Sequence, residues 1–308
     1  MQSIYQKTII KNVSIEGIGL HSGKISKLNL IQSGSNTGII FKRIDLKKEN
    51  IIEANFKNVS STKLCTKLTN TSGSSVSTVE HLMAALYITG IDNLVIEIDN
   101  EEVPIMDGSS KDFIELITRA GTKDLESKRK YLKIMNKVSL KDGEKNISIE
   151  PSNNGFSVDF RIKYSNQIIG NQSNCISFYD RNLEEVYSSR TFCLHEDIEK
   201  IKKIGLAKGG SLNNAIVVQQ DKILNDGGLR NKKEFVNHKI LDLAGDFLLS
   251  GYRILGDVRC EQGGHQLSNL FLRKLFVNST NFLEIDLENL KIVKKSYKNQ
   301  DHKIAVNA

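Results

Sequence analysis

His238, Asp242 and Asp246 recur at four-residue steps in the segment His238-Lys239-Ile240-Leu241-Asp242-Leu243-Ala244-Gly245-Asp246. On an α-helix, steps of four drift by only about 40° each, so these side chains share one stripe. An imidazole and a carboxylate one turn apart can grip one small cation, and zinc accepts both ligand types. The third group, one turn further on, suits a supporting role beside a ligand. A solvated helix face carries the same residue types, and on this segment alone that reading stays open. The flanks bear on it: Phe235, Val236, Ile240, Leu241, Leu243, Phe247 and Leu248 recur at spacings of three and four, and Gly251 supplies a stop. A polar stripe between apolar ones faces a cleft rather than bulk solvent.

A second cluster is Ser77-Thr78-Val79-Glu80-His81-Leu82-Met83-Ala84-Ala85-Leu86. Ser77 and Glu80 fit a capping box, which would make Glu80 a helix cap and nothing more. The other reading makes His81 a third metal ligand and Glu80 a base, since a catalytic zinc commonly keeps three protein ligands and one open position. Gly263-Gly264-His265-Gln266 puts a histidine on an adaptable loop, either merely exposed or placed to give a proton to a leaving amine. Ser189-Arg190-Thr191-Phe192 sets a hydroxyl beside an aromatic ring. Lys208-Gly209-Gly210-Ser211-Leu212-Asn213-Asn214 could cradle a phosphate, let a chain pass close to the backbone, or form a simple turn.

The elements that must carry these groups follow from periodicity. Residues 8–15, 26–32, 38–43, 93–99, 131–140, 145–150 and 156–164 read as strands. Residues 78–89, 112–120, 182–188, 196–204, 232–250 and 266–276 read as helices. Both types are plentiful without strict βαβ alternation, which predicts an α+β fold with helices packed on mainly antiparallel sheets. Thr8 to Ile15 echoes Lys133 to Leu140, 125 positions later, and each is followed by a second alternating segment. Two similar halves are expected, each opening with a β-hairpin. The polar, aperiodic stretch Gly121 to Lys130 places the boundary, giving domains 1–126 and 127–308.

The chain has 308 residues, enough for two such domains, and 39% hydrophobic and 26% charged residues are ordinary for a globular protein. No apolar run approaches the roughly 20 residues of a membrane span. Met1 to Lys7 lacks the apolar centre of a signal peptide, so a cytoplasmic protein without a transmembrane segment is expected. Cys65, Cys175, Cys193 and Cys260 form no CxxC and read as reduced thiols. The net charge of +7 is spread along the chain, which argues against a nucleic-acid partner and suits a small anionic substrate such as a diphosphate.

Taken together, the motifs resemble one bacterial family. Gly17-Ile18-Gly19-Leu20-His21-Ser22-Gly23, the Ser77 to Leu86 cluster and Val103-Pro104-Ile105-Met106-Asp107-Gly108-Ser109 come first. Ser189-Arg190-Thr191-Phe192, His238-Lys239-Ile240-Leu241-Asp242 and Gly264-His265 follow in the same order. The chain is similar, from about residue 2 to about 280, to the UDP-3-O-acyl-N-acetylglucosamine deacetylases of lipid A biosynthesis, and the dehydratase-like domain that some members carry fused is not expected here. The resemblance implies that His81, His238 and Asp242 hold one Zn²⁺ per chain, with Fe²⁺ possible in its place. It makes Glu80 the general base and His265 a cation that protonates the departing amine, kept charged by Asp246. Thr191 would hydrogen-bond the oxyanion, Lys239 would meet the diphosphate and Phe192 the sugar. An acyl tunnel would be built from an inserted segment at about 190–218, with Leu20, Ile198, Gly210, Ser211, Ala215 and Val217 against the chain. The implied fold stacks two α+β domains so that their helices lie between two outer sheets, in a monomer. Cys65, His21, Leu194, His195 and Ala207 receive no role. Two rivals remain on the residues themselves: a non-catalytic nucleotide-sugar or phosphate-binding module, and a zinc hydrolase of another acyl amide.

Overall fold

Burial that alternates along the strands builds two sheets with one internal order. The computed structural model describes residues 3–152, 155–180 and 182–286. The first half runs β1 (Tyr5–Ile9), β2 (Val13–Ile18), β3 (Ile25–Gln32), β4 (Ile39–Arg43), β5 (Ile51–Glu53), β6 (Val59–Ser61), β7 (Lys67–Thr69), β8 (Ser75–Val76), α1 (Glu80–Thr89), β9 (Leu94–Ile98), α2 (Lys111–Ala120) and β10 (Thr122–Lys128). The second runs β11 (Tyr131–Ile134), β12 (Val138–Asp142), β13 (Lys145–Pro151), β14 (Phe156–Lys163), β15 (Asn171–Ser177), α3 (Glu184–Tyr187), β16 (Phe192–Leu194), α4 (His195–Lys203), β17 (Ile216–Gln219), β18 (Lys222–Ile223), α5 (Glu234–Leu248), β19 (Arg253–Glu261), α6 (His265–Val277) and β20 (Phe282–Ile285). Where the expected second domain extends past residue 286, it lies outside the described residues.

The first sheet is ordered β2-β3-β9-β4-β5, and the second contains β12-β13-β19-β14-β15. In both, the central strand pairs antiparallel with one neighbour and parallel with the other. The second sheet gains β11 and β20 along the early part of β19. The fold is α+β, with strand pairs mostly antiparallel.

The expected strands 8–15 and 131–140 each break in two. At Ile10 and Lys11 the backbone N–H groups turn to the carbonyls of Gly121 and Ala120, so β1 pairs with β10 while β2 pairs with β3. Likewise β11 lies on β19 and β20 while β12 lies on β13. The stretch 121–130 also departs from its reading as an aperiodic connector, because most of it is β10, antiparallel to β1. Most β10 side chains are exposed, so the strand had no need of an apolar alternation.

Helices α1 and α5 are buried on nearly every side, so the polar stripe of α5 and the Glu80-His81 start of α1 are enclosed with their apolar faces. They pack against each other; α5 also packs on β14 and β15, α6 on β12 and β13, and α2 on β2. The helices thus lie between the sheets, in one apolar core that joins both halves. Gly245 sets the α1–α5 separation: a Cβ there would sit 2.1 Å from the Glu80 carbonyl oxygen.

The far end of α1 is tied to the second half by two guanidinium groups. Arg253 on β19 donates to the carbonyls of Leu86 (3.0 Å), Ile91 (2.8 Å) and Tyr87, and stacks 4.5 Å over the Tyr87 ring. Arg129 donates to the Gly90 carbonyl and to Asp92, each at 2.6 Å. These cations add donors to the carbonyls at the negative end of the helix dipole.

Candidate active site

The near end of α1 meets the flank of α5. Thr78, in the left-handed region at φ 58°, turns the chain into α1. The capping box does not form: Ser77 Oγ donates to the Glu101 carbonyl, and no side chain caps α1. Glu80 is released from that role and turns inward. Its Oε2 accepts from the Thr66 N–H at 3.0 Å and its Oε1 lies 3.6 Å from His265 Nε2.

His81 Nε2 and His238 Nε2 lie 3.5 and 3.4 Å from Asp242 Oδ1. One ligand atom from each residue falls within 4.8 Å of the others, and all three residues are buried. His238 Nδ1 faces the Ser189 carbonyl at 3.0 Å, a contact only an N–H can satisfy. Its proton therefore sits on Nδ1, and Nε2 presents a lone pair to the cluster. Burial pushes His238 down to about 3, against the attraction of Asp242, so the ring is neutral. Burial works against ionisation of Asp242 too, but the Lys239 ammonium beside it helps hold the carboxyl well below its usual range. Asp242 Oδ1 has no hydrogen-bond donor although it is buried. An ionised Asp242 oxygen and the His238 Nε2 lone pair, converging with His81 Nε2 and without a donor in hydrogen-bond geometry, fit a divalent cation and would be costly without one.

The second layer is a carboxylate–imidazole chain. His265 begins α6, with Nδ1 2.9 Å from Asp246 Oδ2. Burial alone would lower its pKa, but Asp246 and Glu80 prevail and push it up to about 10. Burial raises Glu80, with His265 and His81 opposing. Thr66 steadies both acids, because its hydroxyl donates to Asp246 Oδ1 at 2.7 Å while its N–H serves Glu80. Nothing in the Leu64-Cys65-Thr66 stretch marks it as functional in sequence. The neighbouring Cys65 thiol is pushed up to about 12 by burial and by Glu80, so it stays protonated.

Lys239 Nζ donates to Asp242 Oδ2 at 3.0 Å and lies 5.5 Å from the centre of the Phe192 ring. That contact satisfies one Asp242 oxygen and leaves the other to the cluster. The Ser189-Arg190-Thr191-Phe192 run is held by the buried Arg190–Glu234 pair at 2.8 Å, which fixes it to the start of α5. Thr191 N donates to the Gly108 carbonyl at 2.7 Å. Gly108 must be glycine, since at φ +87° a Cβ would lie 2.2 Å from the Asn214 carbonyl oxygen.

From Thr191 and Phe192 an apolar cavity of about 330 Å³ opens, within the range of small-molecule pockets. Leu20, Ile198, Ala215 and Val217 line it, with Gly210 and Ser211 at its exposed rim. His21, His195 and Ala207 also face it, as do Leu64, Ile201 and Leu224, which carried no sequence signal. The glycine-rich run is no phosphate cradle. Its N–H groups at Lys208, Gly209 and Gly210 donate to the carbonyls of His21, Leu20 and Ala207. Gly209 instead allows close passage, for a Cβ there would be 2.3 Å from the Gly19 oxygen. Among the described residues, no helix is long and apolar enough to cross a membrane.

Comparison with known proteins bears on this arrangement. Residues 6–277 match the family model described as LpxC: UDP-3-O-acyl N-acetylglycosamine deacetylase. A UDP-3-O-acyl-N-acetylglucosamine deacetylase of Haemophilus ducreyi is 42% identical over 281 residues, 89% of this chain and 91% of the relative. Proteins of the same name from Pasteurella multocida and Haemophilus influenzae are 40% and 39% identical, each across 96% of this chain and 97% of their own length.

Proposed function

The chain belongs to the UDP-3-O-acyl N-acetylglycosamine deacetylase family, and on that premise we propose how its residues perform the reaction. The substrate is UDP-3-O-acyl-N-acetylglucosamine. Water cleaves its N-acetyl amide to acetate and the free amine, a step of bacterial lipid A biosynthesis. The observation that carries the reading is the convergence of His81, His238 and Asp242 beside the Glu80–His265 pair, with the His238 ring 6.4 Å from that of Phe192, which lines an apolar cavity.

His81, His238 and Asp242 hold the metal, read as one Zn²⁺ with Fe²⁺ as the alternative. A bound zinc supplies Lewis-acid polarisation of the amide and lowers the pKa of water. Glu80 Oε1 takes a proton from the attacking water as the C–O bond forms. His265 Nε2 gives a proton to the amide nitrogen as the C–N bond breaks, so the amine leaves neutral. Asp246 keeps His265 charged for that donation. Thr191 donates its hydroxyl to the developing oxyanion; a single donor of this kind is commonly worth about 10²–10³ in rate. Lys239 meets the diphosphate, Phe192 the sugar, and Leu20, Ile198, Gly210, Ser211, Ala215 and Val217 the acyl chain. Each methylene buried there adds about 0.8 kcal/mol, so the chain supplies much of the affinity. We read the enzyme as a cytoplasmic monomer.

The test is acetate release from UDP-3-O-acyl-N-acetylglucosamine, before chelation, after it, and with zinc added back. Activity lost to chelator and restored by one equivalent of zinc supports the reading. A folded, zinc-loaded protein that releases no acetate overturns the substrate. A protein that binds no zinc overturns the metal assignment.

A further inference from the structure

His21 belongs to none of the groups used above, yet it is built into the cavity wall with unusual care. It is 8% exposed and faces the acyl cavity together with Leu20 and Thr191. Glu102, itself buried, clamps its backbone: Oε1 accepts the His21 N–H at 2.8 Å and Oε2 the Ser22 N–H at 2.7 Å. The same carboxylate accepts from Thr78 Oγ1 at 2.8 Å, two residues before Glu80. Gly19 admits this clamp, since a Cβ there would lie 2.5 Å from Glu102 Oε2. The loop carrying His21 is thereby locked to the start of α1.

The ring itself is half satisfied. His21 Nδ1 accepts the Ala207 N–H at 3.3 Å, so in the neutral ring the proton sits on Nε2. Burial favours that neutral form, against the pull of Glu102. Nε2 is buried and has no hydrogen-bond partner in the protein. The Leu64 carbonyl lies near enough to favour a charged ring, but not in hydrogen-bond geometry to Nε2. A buried N–H without an acceptor is rare in a folded protein and commonly awaits a ligand atom.

We propose that His21 Nε2–H donates to the ester carbonyl of the 3-O-acyl group, registering the chain at the point where it leaves the sugar. The inference rests on the deacetylase reading. The ester oxygen and the scissile amide nitrogen sit on adjacent ring carbons, so an amide placed at the His81–His238–Asp242 cluster brings the ester to the start of the cavity. His21 stands on the wall of that cavity together with Thr191 and Phe192, and the Phe192 ring lies 6.4 Å from that of His238. The carbonyl is much the stronger of the two ester oxygens as an acceptor, and the rest of the wall is mainly apolar. His21 is on this account a positioning and specificity residue, distinct from the groups that move protons.

The experiment compares two substrates on three proteins. One substrate is UDP-3-O-acyl-N-acetylglucosamine; the other joins a chain of equal length through an ether and has no carbonyl. The proteins are the wild type, His21→Phe and His21→Gln, each checked for metal content and melting temperature. For the ester, His21→Phe should lower kcat/KM roughly tenfold, chiefly through KM, as expected for one neutral hydrogen bond. For the ether it should change nothing. His21→Gln, whose amide N–H can replace Nε2–H, should restore the ester preference. Equal losses on both substrates, or no loss on either, overturn the proposal. So does a Gln variant as impaired as Phe while folding and binding metal normally. If the wild type releases no acetate from the ester, the deacetylase reading fails and takes this inference with it.

Discussion

Each half of the molecule repeats one frame: three antiparallel strands, a parallel partner and its hairpin mate, and a helix on either side of the central strand in sequence. The halves differ in what they add. Before α1 the first half inserts the small sheet β6–β8, while before α5 the second inserts α3, α4 and β16–β18. They differ also in how the equivalent helices are used. The first offers Glu80 and His81 at the tip of α1; the second offers His238, Asp242 and Asp246 along the side of α5 and His265 at the tip of α6. The equivalent tip of α2 bears Lys111, which is exposed and faces Glu115. Neither half holds a complete site. A duplicated scaffold supplies the rigidity, and the chemistry arises where its two copies have diverged and cross.

Perturbing that crossing should have graded effects. The largest comes from removing the metal that His81 of one half and His238 and Asp242 of the other are proposed to hold: chelation should abolish acetate release, and one equivalent of zinc should restore it. Activity persisting in demonstrably metal-free protein would show that the cluster is structural. Next, Glu80→Gln should keep the metal and lower kcat by about 10²–10⁴, the usual worth of a general base. Asp242→Asn should lose metal instead, and metal analysis beside kcat separates the two. Gly245→Ala forces a methyl against the Glu80 carbonyl. Overpacking of this kind costs about 1–3 kcal/mol, read as a lower melting temperature, with activity falling because the two layers of the site move apart. An unchanged melting temperature would mean that α1 and α5 can part freely.

Asp246→Asn should act through pH. In the proposed acid role His265 acts while protonated, so activity should be present below its pKa and lost as pH rises through it. Its pKa is raised to about 10, with Asp246 the leading cause of the rise. Removing that charge lowers the pKa, so the alkaline limb should move to lower pH. With Glu80 as the proposed base, its raised pKa should set where activity fades as pH falls, and that acid limb should move less. A profile whose alkaline limb stays in place in Asp246→Asn would remove His265 from the acid role. The smallest effect belongs to the second half's insertion. Val217→Phe should shorten the preferred chain, lowering the long-to-short ratio of kcat/KM by about fourfold per methylene excluded.

The site was more legible in sequence than the fold around it. Four-residue spacing on α5 makes a stripe whatever the tertiary structure does, and the ordered motifs supplied the partners from elsewhere in the chain. The helices were legible because burial imposes their period. Thr66 and Glu102 were not, since their value lies in contacts 180 and 81 residues away, with Asp246 and His21. The breaks at residues 10–12 and 135–137 were hidden for a similar reason. Both flanking segments alternate, and nothing local says that they join different sheets. β19 escaped notice although it is the centre of its sheet, because its first four residues are buried on both faces and show no alternation.

The guanidinium groups at the far end of α1 bear on how this chain unfolds. Arg129 and Arg253 hold the last turn of a helix whose other end carries Glu80 and His81, and both come from sequence that follows the first sheet. A fragment ending before β10 would keep α1 but strand Asp92 without its cations and strip the terminal turn of its guanidinium donors. The repeated halves are therefore poor candidates for independent folding, despite their shared topology. Heating should melt them in a single calorimetric transition, and a chain cleaved between β10 and β11 should regain its stability only when both pieces are present together.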